Sequence, residues 1–352
     1  EAATKKTDAN FAQHMEGLMA NYEKLDKLKK EKLPAAEQAQ RAKEIFTAMR
    51  QDSLQVEKAY REDAAQDLSK LLLHPLLSAA GSFQNWILCP DADIWLLPWN
   101  ALLLPNGKYF IQEHTLSHVI TPRDLLTPTG PRARPGAPLV MTAPNYDLGV
   151  TGPENRAFNV DYLFGFGKEW VDTFLLELEA CAQQQARVIT GDQATEEVIK
   201  KAERPIVLFL ATHGKFGKID PAQMPPGLGF FKESPLVRSM LVFAGCNRKH
   251  PPGDKSEDGF LFGSEVLSCD LRGTELVMLT ACETAQGDVH AGQSAAGMRQ
   301  AFQLAGARNV IATLWSVDRD ASKKLAVGFI GHLAESTPPV SALRQAQLER
   351  ID

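Results

Sequence analysis

The sequence predicts an α/β fold of three layers, with helices on both faces of a mostly parallel central sheet, preceded by an N-terminal hairpin of two long helices. Three observations predict it. The runs Ile206-Val207-Leu208-Phe209-Leu210 and Leu276-Val277-Met278-Leu279 are apolar at every position, as strands covered on both faces must be. From Leu139 onward such runs alternate with segments of helical period. Before His74, apolar residues recur at steps of three and four through long stretches almost free of Gly and Pro.

Phe11, Met15, Leu18, Tyr22 and Leu25 mark one face of the first helix, which Asn10 and Gln13 would cap and Pro34 would end. A second helical stretch runs from Ala35 to Leu73, with Ile45, Met49, Val56 and Tyr60 facing inward, and His74-Pro75 is expected to stop it. Residues 1–70 carry 13 basic and 13 acidic side chains, the mixed sign of a solvated helical surface. Trp86–Cys89 and Ile94–Leu97 flank Pro90-Asp91-Ala92-Asp93, which predicts a hairpin. Pro105-Asn106-Gly107-Lys108 predicts a second turn between Leu102–Leu104 and Tyr109–Ile111.

The Pro-rich stretch 128–138 reads as a connector, and Leu139–Ala143 as the first buried strand. Further strands are expected at Val188–Thr190, Ile206–Ala211, Met240–Ala244, Leu276–Ala281 and Asn309–Leu314. Helices are expected at Thr195–Ala202, Phe262–Ser268, Ser294–Ala305, Asp318–His332 and Pro338–Arg350. The chain thus divides into a helical extension, 1–80, or the end of an upstream helical region, and an α/β domain, 81–352, with an insertion at 221–258.

Composition bounds the function. The 352 residues are 44% hydrophobic and 23% charged, as in globular proteins, and a net charge of -5 supplies no drive toward nucleic acid or an anionic membrane. Apolar runs fall far short of the roughly 20 residues that span a bilayer. Five Cys, an odd number without tight spacing, fit a reducing compartment, so a cytoplasmic location is expected. The chain starts at Glu1 with no basic segment joined to an apolar one, so it reads as a trimmed or mid-protein boundary and not as a signal peptide.

Two side chains capable of covalent chemistry stand at strand ends. His213 follows Ile206–Ala211, and Cys282 follows Leu276–Ala281. In an open parallel sheet these ends share one rim, so residues 69 positions apart can meet. Cys282 would be the nucleophile and His213 its general base, then the acid that protonates a leaving amine. The N–H groups of Gly214 and Cys282 would form an oxyanion hole. A hydrogen-bonded histidine and a buried structural thiol are the other reading of the same two residues.

Glu283, Asp288 and Asp318 are candidate carboxylates for a basic substrate residue, and Trp315 a candidate pocket wall; each reads equally as a cap, a loop charge or core. Gly292-Gln293-Ser294-Ala295-Ala296 lacks the second Gly of a serine-hydrolase elbow, and no phosphate-binding loop with its Lys is present. Cys246 and His250 have no second spaced pair to complete a zinc site.

The segments Phe209-Leu-Ala-Thr-His-Gly-Lys-Phe216, Asp270-Leu-Arg-Gly-Thr-Glu-Leu-Val-Met-Leu-Thr-Ala-Cys-Glu-Thr-Ala-Gln-Gly-Asp288 and Ala305-Gly-Ala-Arg-Asn-Val-Ile-Ala-Thr-Leu-Trp-Ser-Val-Asp318 resemble the CHAT domain. This is a caspase-like cysteine peptidase domain of the clan that includes separase, often found downstream of tetratricopeptide repeats. The resemblance runs from about Leu96 to the C-terminus, with Leu97-Pro-Trp-Asn-Ala-Leu102 similar to the family's early hairpin motif. It implies a caspase-like fold and hydrolysis of peptide bonds in a protein or peptide substrate by a thiol protease. It also implies His213 as base, Cys282 as nucleophile, Gly214 beside the oxyanion hole, and no metal or organic cofactor. The chain departs from the family around Gly152–Phe166, at Arg319 where a second acid is usual, and in the 221–258 insertion, which bear on specificity. A regulatory protein partner, or an upstream helical repeat, is expected to control activity. The alternative is a catalytically silent or latent interaction module within a larger assembly.

Overall fold

The computed structural model describes residues 13, 16–17, 19–25, 27–28, 34–59, 65–90, 94–95, 97–126, 133–150, 168–216, 235–248, 257–280, 291–313 and 319–351. The chain forms two compact units, Glu1–Trp86 with Pro98–Leu116, and Ile87–Leu97 with Ser117–Asp352.

In the first unit residues 19–25 are helical, and α1 (Ala35–Ala59) returns beside them. Gln38 donates to the Leu28 carbonyl (3.1 Å) near the turn, and Asn21 donates to Asp52 (2.9 Å) farther along, so the two helices run antiparallel. Leu28 and Met49, the latter expected to face inward, are buried, whereas Tyr22 is exposed. The proposed Asn10 cap lies outside the described residues.

His74-Pro75 does not end the helical stretch as expected. α2 (Ala65–Leu68) runs into a π turn (Ser69–Leu73) and then α3 (His74–Ala80), in whose first turn Pro75 stands. A proline there lacks an N–H that would have no partner in that turn, and the wide turn before it absorbs the mismatch. Buried Ser69 donates to the Ala65 carbonyl (2.5 Å) and accepts from the Leu103 N–H (2.7 Å). The Pro105–Lys108 turn forms as expected, with Gly107 at φ +79° and the Leu104 N–H donating to the Lys108 carbonyl (2.8 Å). Tyr109 makes one bridge to Leu103 and leads into α4 (Phe110–Glu113), not into a strand.

The hairpin expected at Trp86–Leu97 does not form. β1 (Asn85–Leu88) pairs with the distant β2 (Thr115–His118), and Ile94 and Trp95 lie in a 3-10 turn. Hydrogen bonds from Thr115 to Gln84 and from Val119 to Leu88, both 2.8 Å, show the pair to be parallel. A nonlocal partner of this kind leaves no mark on local turn chemistry.

The second unit is built on β3 (Leu139–Pro144), α5 (Lys168–Ala182), β4 (Arg187–Gly191), α6 (Glu196–Lys200) and β5 (Val207–Ala211). β6 (His213–Phe216), α7 (Pro235–Arg238), β7 (Ser239–Val242), β8 (Phe260–Phe262) and α8 (Gly263–Val266) follow. β9 (Leu276–Leu279), α9 (Ala291–Leu304), β10 (Asn309–Ala312), α10 (Arg319–Ala334) and α11 (Pro339–Leu348) complete it.

The main sheet has the order β10-β9-β5-β3-β4, parallel throughout. Successive strand residues serve opposite layers, which is why the runs are apolar at every position. Leu208, Leu210, Val277 and Leu279 pack with Ile199 of α6, Val266 of α8 and Met298, Ala301 and Phe302 of α9. Val207, Phe209, Ala211 and Met278 pack with Phe174 and Leu178 of α5, Phe329 and Ile330 of α10, and Ala342 and Ala346 of α11. The mixed α/β class, the mostly parallel sheet and the preceding helices are therefore as the sequence predicts, in a caspase-like arrangement. Truncating a core ring such as Phe209, whose centroid lies 4.5 Å from that of Phe174, would cost about 3–5 kcal/mol.

A second sheet, β6-β7-β8, is antiparallel. At its edge Gly259 has φ +80°, and a Cβ there would stand 2.5 Å from the Cys246 nitrogen and 2.7 Å from its Cα. Gly259→Ala is accordingly expected to destabilise the chain by more than about 2 kcal/mol, measured by urea unfolding, because both the φ value and a backbone clash oppose it. An unchanged midpoint would contradict this packing.

Candidate functional site

The chain enters the main sheet at β3, places β4 on one side and then crosses to place β5 on the other. This reversal makes the β3 and β5 carboxyl ends a switch point, where a crevice opens in sheets of this kind. β3 ends irregularly: its register shifts between Thr142 and Pro144, and Ala143 takes φ +48°. The bulge turns the following loop back over the rim, where Asn145 donates from its N–H to Gly191 (3.0 Å).

Tyr146, at 1% exposure, lies across the ends of both strands. Its ring centroid is 5.1 Å from that of His213, tilted by 50°. Its hydroxyl is 3.1 Å from Thr212 Oγ1, and Thr212 in turn donates to the Val242 carbonyl. A threonine hydroxyl has one proton, so Tyr146 is the donor to Thr212. Burial pushes the Tyr146 phenol well above its ordinary pKa, so it acts as a neutral wall and donor, not as a base.

His213 opens β6 and stands opposite Val242 in register, with Gly214 opposite Leu241. The loop position expected for this histidine is thus a strand position, and the imidazole is 4% exposed. Gly214 is partly exposed beside it. Cys282, Glu283, Asp288, Trp315 and Asp318 lie outside the described residues. Among the described residues no cysteine pairs with His213 as a nucleophile would.

No residue that orients His213 is evident in the sequence, whereas the structure brings Tyr146 against its ring and Thr212 beside it. Their signal was positional, since Tyr146 stands just past one rim-ending strand and Thr212 separates another from His213. The loop holding Tyr146 is stitched to residues 244–248: Gly245 N–H donates to Asn145 O and Asn247 N–H to Tyr146 O, both 3.0 Å. Asn247 Nδ2 also donates to Asp147 at 2.9 Å.

The four described cysteines are free. Burial pushes the Cys246 and Cys269 thiols up to about 12 and about 11 and also raises Cys181, whereas Cys89 is exposed. No group of His, Cys, Asp and Glu among the described residues has the arrangement of a metal site. His250, considered with Cys246 as a ligand pair, lies outside them.

A separate polar cluster joins α6 to the β8 edge. Glu196, 1% exposed, accepts the Gly259 N–H at 3.1 Å. Lys200 Nζ lies 3.1 Å from Glu196, 2.7 Å from Glu257 and 2.7 Å from Glu265. Burial first, and then the neighbouring Glu257 carboxyl, raise the Glu196 pKa to about 8, while hydrogen bonds from Glu196 and Lys200 lower that of Glu257. Three carboxyls thus converge on one ammonium, and burial favours the protonated form of Glu196.

A family model of the CHAT domain matches residues 62–352. The chain belongs to the CHAT-domain family. The CHAT match begins upstream of the Leu97–Leu102 segment and takes in α2, the π turn and α3. It relates the chain to the cysteine peptidases of clan CD and agrees with the sheet order described above. No curated protein gives a match to the chain. No helix among the described residues is long and apolar enough to cross a membrane.

Proposed function

We propose that this CHAT domain is a latent cysteine peptidase module, held as an interaction module of a larger protein assembly until a partner frees His213. The observation that carries this reading is the burial of His213 under Tyr146 at the switch point. A general base must come within about 3 Å of the proton it takes, and a scissile peptide must lie against it. An imidazole with 4% exposure, walled by a neutral phenol ring, has no room for that peptide until the loop after β3 moves.

The activity released would be endopeptidase cleavage by a Cys282–His213 dyad, without metal or organic cofactor. The sheet register supports this chemistry. β5 and β9 are parallel neighbours, Val207 opposite Leu276 through Leu210 opposite Leu279, and Thr280 N–H donates to Leu210 O at 3.0 Å. That constant offset of 69 positions is also the separation of His213 from Cys282. Two strands about 4.8 Å apart that end together supply two loops to one rim. In the reaction, His213 would take the Cys282 thiol proton, the thiolate would add to the carbonyl carbon, and the imidazolium would protonate the departing amine. Gly214 and Cys282 N–H groups would hold the oxyanion. Substrate selection by Glu283, Asp288, Asp318 or Trp315 belongs to the same proposal, as do the partner and a cytoplasmic setting.

Two measurements test it. Quantitative alkylation at pH 7.5 should modify Cys89 and leave Cys246 and Cys269 untouched in the folded chain, since only about one in 10³ or fewer of such buried thiols is ionised there. On the latent reading Cys282 reacts no faster than Cys89 in the isolated chain and much faster once the assembly forms. Co-expression with candidate partner proteins, wild type against Cys282→Ala, followed by mapping of new protein termini, would give the substrate and cut site. Equal cleavage by the isolated chain and the assembly would remove latency; stable partner binding without any Cys282-dependent terminus would leave only the silent interaction module.

A further inference from the structure

Arg299 contrasts with the carboxylate-paired arginines of the described chain. Arg41, Arg204, Arg272 and Arg308 each pair with a carboxylate 2.6–3.3 Å away. None of the ion pairs among the described residues engages Arg299; its guanidinium carbon instead lies 4.0 Å from the centroid of the Trp95 ring. His118, at the end of β2, also lies against this indole, with ring centroids 5.5 Å apart. All three side chains are partly buried, so they are neither solvated on an open surface nor sealed in the core.

Charge on this cluster is set by desolvation. Burial lowers the Arg299 pKa to about 10, which leaves it cationic at neutral pH. Burial and the Arg299 charge together hold His118 down to about 4, which leaves it neutral. The cluster therefore carries one positive charge with an aromatic floor and no counter-ion among the described residues. A guanidinium over an indole ring keeps N–H donors that can serve an acceptor. Removing a cation from water without a counter-charge is costly, and a planar fork is the geometry that takes a carboxylate through two parallel hydrogen bonds.

We propose that Arg299, Trp95 and His118 form a binding subsite for the carboxylate of an Asp or Glu side chain in a peptide partner. A monoanion matches the single charge of the cluster, whereas a phosphate dianion would be left in excess on a chain whose own net charge is -5. The subsite's place in the fold directs it to peptides. Arg299 lies on α9, the helix that follows the segment containing Cys282, and α9 packs against β6 and β7, which carry His213 and its partner strand. Met298, Ala301 and Phe302 turn into the core and fix this helix, so Arg299 is held on a rigid element. The subsite is a matter of binding and stands whether or not Cys282 performs hydrolysis.

The test uses the full chain and blocked peptides that differ at one position: Asp, Asn or phosphoserine. Binding is followed by the NMR titration of the His118 imidazole and by the fluorescence change that Trp95→Phe removes. The Asp peptide should bind saturably and raise the His118 midpoint by about one pH unit, since a carboxylate beside Arg299 cancels the charge that disfavours imidazolium. The Asn peptide should bind at least about tenfold more weakly, a difference of roughly 1.4 kcal/mol. Arg299→Gln should abolish the difference between the peptides. Arg299→Lys should reduce it without shifting the melting temperature, which separates lost recognition from lost folding. Equal binding of Asp and Asn peptides, no movement of His118 on saturation, or tighter binding of phosphoserine than of Asp would each overturn the proposal.

Discussion

In the activated assembly, His213→Ala should lower Cys282-dependent cleavage by roughly 10²–10⁴-fold, the usual contribution of a positioned acid–base group, and Cys282→Ala should remove it. The loss should appear in kcat, with substrate binding little changed, because the imidazole acts on the proton in flight and not on the resting peptide. Alkylation of Cys282 should slow in parallel, since His213 supplies the charge that stabilises the thiolate. In the isolated chain the same His213 substitution should change Cys282 alkylation little, because the imidazole is already sequestered under Tyr146. A large effect in the isolated chain would mean that the dyad is assembled there, and the latent reading would be wrong.

The second large effect is structural. Lys200→Met should destabilise the chain by about 2–4 kcal/mol, since breaking a buried ion pair from one side strands the remaining charge. The cost should grow with pH. Glu196 has a folded pKa of about 8, above the ordinary carboxylate value of 4.5, so the folded chain holds a proton that the unfolded chain releases between those limits. Its contribution to stability is therefore full at acid pH and falls as pH rises through about 8. Near pH 6 the protonated Glu196 needs no counter-ion and the variant should be mild; near pH 9, where the wild-type carboxylate is ionised beside the ammonium and the variant loses that partner, the loss should be greatest. Urea unfolding at the two pH values measures it, and a pH-independent difference would show that Lys200 acts by packing alone.

The strands of the main sheet were legible because burial on both faces leaves only one composition open to them: Val207–Ala211 and Leu276–Leu279 offer no polar side chain to misread. β6 was not, since His213-Gly-Lys-Phe216 has no apolar alternation and is a strand only because Ser239–Val242 pairs with it. α5 went unread although Phe174 and Leu178 stand four apart, because the aromatic and glycine-rich stretch before it gives no helix start. The register of β1 with β2 escaped for the reason that the Trp86–Leu97 hairpin looked plausible: turn residues are local and strand partners are not.

Of the candidate site, His213 and Gly214 were singled out from their position after an apolar strand, and in the structure they open β6, opposite Val242 and Leu241. What could not be read was exposure. Sequence gives the chemical identity of an imidazole and its neighbours along the chain, whereas Tyr146 reaches it from a loop 66 positions before Thr212, just past a bulge at a non-glycine residue with positive φ.

The stitching of Asn145 and Tyr146 to Gly245 and Asn247 gives the molecule a mechanical linkage. Those amides belong to the stretch that leads out of β7, so two backbone hydrogen bonds and the Asn247–Asp147 side-chain bond fasten that stretch to the phenol's own loop. The position of the phenol over the imidazole is therefore tied to the conformation of residues 245–248.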